Sequence, residues 1–172
     1  GNMTKMLKNE KGFTLIEIVV VMIISAIIIV PLFSTFINGV STQKKASKQD
    51  KYQTLARKAM YEIVDGSEKN KGIRAAKAAT NLNDDPSNIV FLASGKNIIY
   101  FEDDGILYTY TSDETISSIP ETGVATPVID NVEYFNAETD GEKTVTLNLW
   151  IKDSEAKVKL DTKVVMRNKP KS

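Results

Sequence analysis

Between Phe13 and Phe33 only Thr14, Glu17 and Ser25 are polar, and no other stretch of the 172 residues is comparably apolar. As a helix this run spans about 31 Å at ~1.5 Å per residue, which matches the hydrocarbon core of a bilayer. Ile and Val dominate it. Their branched side chains weaken helices in water, but not in lipid, where every backbone group must bond within the segment. Pro31 predicts a kink or a loosened turn near the far end. Ser25 reads either as bonding back to a carbonyl one turn earlier or, with Ala26, as a small patch where helices approach.

Past Pro31 the apolar positions thin to Phe33, Phe36, Ile37 and Val40, and resume at Tyr52, Leu55, Ala56, Ala59, Met60, Ile63 and Val64. Steps of three and four predict a helix that continues to about Val64 with one apolar face, and Gly66 follows as a C-cap. Ser41 to Lys51 is polar all round and predicts a solvated or loosely held stretch. Gly39 is a weak point, so two helices hinged there are the alternative to one long helix.

Ser67 to Asn88 is polar, with a loop at Asn81 to Pro86 and a short helix expected over Ala75–Ala79. From Ile89 the period changes to that of strands: 89–92, 98–101 and 106–111, joined by tight turns at Ser94–Asn97 and Asp103–Gly105. A long polar connection follows, then strands over 128–135, 144–152 and 157–166. Val145, Leu147, Leu149 and Ile151 alternate with polar positions, and Val158, Leu160, Thr162 and Val164 repeat the pattern, as a sheet with one buried face requires. The expected fold is α+β: a long N-terminal helix whose amphipathic second half covers an antiparallel meander.

Composition narrows the chemistry. There are 22 basic and 22 acidic residues, so no basic excess points to nucleic acid; without Cys or His there is no thiol or imidazole chemistry and no usual zinc site. Asp84-Asp85 and Asp103-Asp104-Gly105 are the acidic clusters, and the second reads as a turn, because Asp and Gly supply that backbone geometry. Neither offers the regularly spaced oxygens of a calcium loop. Ser94-Gly95 lacks the setting of a nucleophile. Tyr100, Tyr108, Tyr110, Tyr134 and Trp150 read as cross-strand pairs, with a sugar- or partner-binding surface as the alternative. No catalytic residue, cofactor or metal is expected.

Lys5, Lys8 and Lys11 precede the apolar run, which places the N-terminus on the cytoplasmic side. The run is too long for a cleavable secretory signal. A lone Glu17 near the end of such a helix reads first as a carboxylate snorkelling to the headgroups, because a charge at mid-bilayer depth costs roughly 2.5 kcal/mol or more. Its neighbours change that reading. Gly12-Phe13-Thr14-Leu15-Ile16-Glu17, after a basic leader and at the head of a membrane-length run, resembles the class III signal of type IV pilins and pseudopilins.

The resemblance covers roughly the first 30 residues. It implies cleavage by a prepilin peptidase between Gly12 and Phe13, N-methylation of Phe13, and assembly in which Glu17 pairs with the new amine of a neighbouring subunit or of its own chain. Two opposite charges, each costly alone in a low dielectric, would then meet at one axial offset. It also implies partners: other pilins, a membrane platform protein, a cytoplasmic assembly ATPase and, before assembly, membrane lipid. The expected location is the bacterial cytoplasmic membrane, single-pass with the C-terminal domain outside, and afterwards a filament.

The expected organisation is a leader over 1–12 (residues 1–2 a cloning remnant), a transmembrane and polymerisation helix over 13–37, an amphipathic helix over 38–66 and a sheet domain over 67–172. The expected function is a structural subunit, a minor pilin or pseudopilin, of a type IV pilus-like filament. A single-pass anchored binding domain is the alternative.

Overall fold

The computed structural model describes residues 14–167. The chain divides into two compact units, residues 1–44 and 45–172. Helix α1 (Leu15–Asp65) runs through both Pro31 and Gly39, so helical structure is not interrupted at either residue. Ser34 and Thr35 donate their hydroxyls to the carbonyls of Val30 and Pro31, at 3.1 and 2.9 Å. Within the first unit the apolar side chains of α1 are exposed, from Leu15 (82 %) to Phe36 (70 %).

Among the described residues the second unit holds the rest of α1 and eight strands. β1 (Ala78–Thr80), β2 (Asn88–Ala93), β3 (Lys96–Asp103), β4 (Ile106–Ser112) and β5 (Thr126–Ile129) form a five-stranded antiparallel sheet in chain order. β6 (Val132–Thr139), β7 (Thr144–Asp153) and β8 (Ala156–Val165) form a second, three-stranded one. Ala56, Ala59, Met60, Ile63 and Val64 repeat at helical spacing and are buried together with Phe91, Tyr100, Leu107, Leu147, Leu149 and Ile151, so one core joins the helix to both sheets. The inward positions of β7 are Val145, Leu147, Leu149 and Ile151, as the alternation predicts.

Four expectations are corrected. The strand expected over 128–135 is two strands in different sheets, because Asn131 adopts a left-handed φ of 58° and turns the chain between them. A helix over Ala75–Ala79 does not form: a 3₁₀ turn occupies Ile73–Ala75, and Ala78–Thr80 pairs with β2 as β1. β2 and β3 are buried on both faces rather than one. Val90, Ile99 and Phe101 pack beneath Ile116 of the long connection, which is why these strands read as unbroken apolar runs.

The fourth correction concerns Ser41 to Lys51, whose C-terminal part is tied down. Gln49 donates from Nε2 to the Lys157 carbonyl at 2.8 Å and accepts the Lys157 N–H at 3.2 Å. Lys48 pairs with Glu155 at 2.9 Å and with Asp153 at 3.6 Å. The tight turns do form as expected: Ser94 and Gly95 have φ of 52° and 78°, and Asp104 and Gly105 have 48° and 75°. Consecutive positive φ values are what two-residue hairpin turns demand.

Candidate processing and assembly site

Thr14 is the residue before the first turn of α1, and Glu17 is the third residue within it. The Thr14 backbone N–H and hydroxyl both donate to Glu17 Oε2, at 2.8 and 3.0 Å. In return the Glu17 N–H approaches Thr14 Oγ1 at 3.3 Å and the Thr14 carbonyl at 3.0 Å. This is a capping box. The side chains of a Thr and of a Glu three residues on satisfy each other's backbone donors, which an uncapped helix start leaves unpaired. The positive end of the helix dipole favours a carboxylate at the same place.

Both bonds to the carboxylate use Oε2, and among the described residues none is made to Oε1. Glu17 is thus held at the start of the helix with one oxygen committed to its own chain. The box adds a partner that the sequence reading missed, namely Thr14. The signal was present: Thr-x-x-Glu immediately ahead of an apolar run marks a helix N-terminus. Gly12 and Phe13, the residues expected to flank the cleaved bond, lie outside the described residues, as does the rest of the leader.

Among the described residues α1 is the one helix long and apolar enough to cross a membrane. The other candidates from the sequence do not come together. Among the described residues no group of three or more acidic side chains is placed to hold a metal. Asp104 and Gly105 form the β3–β4 turn, and Glu102 Oε1 accepts the Gly105 N–H at 2.8 Å. The aromatics pair across strands. Tyr134 and Trp150 are register partners with ring centroids 4.7 Å apart, and Phe101 stacks on Tyr108 at 5.6 Å. Lys159 Nζ sits 3.7 Å from the Trp150 ring centroid, which closes that ring to a stacking ligand from its side.

Outside the apolar segment, electrostatic shifts follow hydrogen bonds at turns and ion pairs. Hydrogen bonds from Lys157 and Lys152 hold the Glu133 carboxyl below its usual range. The Lys48 hydrogen bond does the same for Glu155. Burial pushes the Tyr100 hydroxyl well up. Each of these groups is explained by the packing of the domain.

Residues 7–33 match the family described as the prokaryotic N-terminal methylation motif, the class III signal motif of type IV pilins. No curated protein and no solved structure matches the chain. The motif ends inside α1 and includes both Thr14 and Glu17.

Proposed function

We propose that this chain, a type IV pilin-like membrane-anchored subunit, is a minor pilin or pseudopilin that enters a filament through the N-terminal half of α1. The observation that carries the reading is the methylation motif lying on a helix whose apolar side chains are exposed within their own unit. A prepilin peptidase cuts between Gly12 and Phe13 and the new Phe13 amine is methylated. The leader with Lys5, Lys8 and Lys11 is removed, while the apolar segment stays attached. In lipid, the capping box satisfies one oxygen of Glu17 within the chain. On assembly, the second oxygen accepts the positive amine of a neighbouring subunit. The helix then exchanges lipid contacts for other helices, driven by a platform protein and a cytoplasmic ATPase. The sheet domain lies on the extracytoplasmic side throughout. Its large size and the lack of any disulfide favour a minor or pseudopilin role over that of the bulk subunit.

Glu17→Gln separates the two jobs of this side chain. The amide oxygen still accepts from Thr14, so the helix start is kept, whereas the negative charge is lost. The variant is expected to be cleaved and to remain in the membrane, but to be absent from sheared filament fractions, as Glu17→Ala is. Normal incorporation of Glu17→Gln would leave Glu17 as a helix cap alone and would sink the pairing reading.

A further inference from the structure

Strand β8 is the outer strand of the three-stranded sheet, and among the described residues no strand pairs with it on the side away from β7. Three contacts fix which of its residues turn their backbone groups to that side. Gln49 takes both the N–H and the carbonyl of Lys157, at 3.2 and 2.8 Å, so Lys157 points away from β7. Met166 N–H bonds Lys143 O at 2.8 Å, on the β7 side, and Arg167 N–H bonds Arg74 O at 2.9 Å, on the open side. Along a strand the backbone groups face the two sides alternately. Lys159, Asp161, Lys163 and Val165 therefore present N–H and C=O outward, and among the described residues no hydrogen bond from another element reaches them. This open window ends where the chain covers itself, with Gln49 at Lys157 and the Arg74 carbonyl at Arg167.

The midpoint of the window is Thr162, so a second β8 laid antiparallel about an axis there uses every open position. That register sets Asp161 opposite Lys163 of the second copy and Lys159 opposite its Val165, and the same pairs recur on the other side of the axis. Edge lysines usually repel a second strand. Here the pairing matches opposite charges directly across the strands, which stabilises a sheet. The neighbouring registers fail. An axis at Asp161 sets that residue against itself and Lys159 against Lys163, and an axis at Lys163 sets Lys163 against itself. An axis at Leu160 runs Lys163 into Lys157, whose backbone Gln49 already holds. Asp161 is also preset: its Oδ1 accepts from Asn148 Nδ2 at 2.8 Å and from Trp150 Nε1 at 3.4 Å. Among the described residues no hydrogen bond goes to its Oδ2, and Lys163 is in no ion pair. Val165, 55 % exposed, would be covered by the methylene stem of Lys159.

We propose that two copies of this chain join edge to edge through β8, antiparallel about Thr162, so that their three-stranded sheets become one continuous sheet. Each outward pair exchanges both N–H···O bonds, as facing residues of an antiparallel ladder do. On the opposite face of the strand, half-buried Leu160 meets Val164 of the second copy and Thr162 meets its own counterpart. Apolar and Thr–Thr pairs of this kind favour sheet pairing. The contact is closed, because the same patch serves both copies, whereas a filament needs contacts that repeat without closing. It is therefore a second mode of association beside the filament reading and does not rest on it.

The chain has no cysteine, so an introduced one reports only its own neighbours. Thr162→Cys puts a thiol on the axis, where the Cα atoms of a non-hydrogen-bonded pair lie about 4.5 Å apart, within disulfide reach. The full chain in detergent micelles, with micelles in excess over protein, is oxidised mildly and the disulfide dimer followed on non-reducing gels. Thr162→Cys is expected to dimerise about tenfold faster than Thr122→Cys, which lies on the exposed connection between β4 and β5. Added to Thr162→Cys, Asp161→Lys or Lys163→Asp sets like charges against each other on both sides of the axis and should slow the reaction about fivefold. Mixing those two chains restores an opposite-charge pair at each place and should return the faster rate, as should both substitutions in one chain. A variant that had merely lost its fold would not be rescued in this way. Equal rates for Thr162→Cys and Thr122→Cys would overturn the proposal. So would charge variants that leave the rate unchanged, or a loss that neither the mixture nor the double substitution restores. The measurement needs neither cleavage nor a filament, so its failure bears on this contact and not on the filament reading.

Discussion

Thr14 and Glu17 cap the start of α1 reciprocally: Thr14 N–H and hydroxyl on Glu17 Oε2, and Glu17 N–H on Thr14 Oγ1. A carboxylate in an apolar run is expensive when unpartnered. Here it accepts the Thr14 backbone N–H, a donor that the helix start would otherwise leave unmet, together with the Thr14 hydroxyl. Removing the hydroxyl tests the box. In Thr14→Ala the Glu17 amide is expected to exchange with deuterium several-fold faster than in the parent, and Thr14→Ser should restore the slow rate. Equal exchange in all three would mean that the hydroxyl contributes nothing to the cap.

Gln49 presents its side-chain amide to Lys157 much as a neighbouring strand would present a peptide group. Gln49→Ala removes both bonds and leaves the Lys157 N–H and carbonyl to water, at a cost of about 1 kcal/mol in urea unfolding. Gln49→Glu keeps the acceptor and loses the donor, so it should fall between the two. A Gln49→Ala stability equal to the parent would show that water replaces the amide without loss.

Asp140 closes the β6–β7 turn by accepting the N–H groups of Thr144, Glu142 and Lys143, at 2.8, 2.9 and 2.9 Å. These bonds, that from Thr144 first, hold its carboxyl down from an ordinary 3.8 to about 2. Because the folded value is depressed, the stabilisation is present above about pH 4 and is lost as pH falls towards 2. Asp140→Ala should therefore lower Tm at neutral pH, and the gap from the parent should close between about pH 4 and pH 2. A gap constant across that window would mean that the charge is not what the turn uses.

Gly72 is required by space rather than by its own dihedral, since a Cβ there would meet Val64 O, Val64 C and Gly66 N, all backbone atoms within 2.5 Å. Gly72→Ala must push the turn away from the end of α1 and is expected to cost about 2 kcal/mol or more. An unchanged urea midpoint would show that the turn relaxes freely. Gly66→Ala adds a strained φ of +99° to a similar clash and should be worse.

Much of this architecture was legible because two periodicities carry it. The three-and-four spacing from Leu55 to Val64 marked the buried helix face, and the alternation in β7 marked its inward side. What escaped depended on single residues or on distant neighbours. Only the left-handed conformation of Asn131 separates β5 from β6, and the apolar pattern runs across it without a break. Burial of β2 and β3 on both faces depends on Ile116, which arrives from a polar connection. Gln49 looked solvated because its partner is 108 residues away. At the candidate site the hexapeptide around Glu17 was readable, while its local partner Thr14 was not noticed, although the capping spacing was there.

The central claim is that the apolar helix is made as a precursor and becomes an assembly element once Phe13 is exposed. Intact mass and N-terminal sequencing of the protein recovered from its native membrane test this most directly. The account predicts a chain beginning at N-methyl-phenylalanine at position 13, with Thr14 next and Glu17 fifth. A chain that retains Gly12 and the residues before it, in cells with an active prepilin peptidase, would contradict the account.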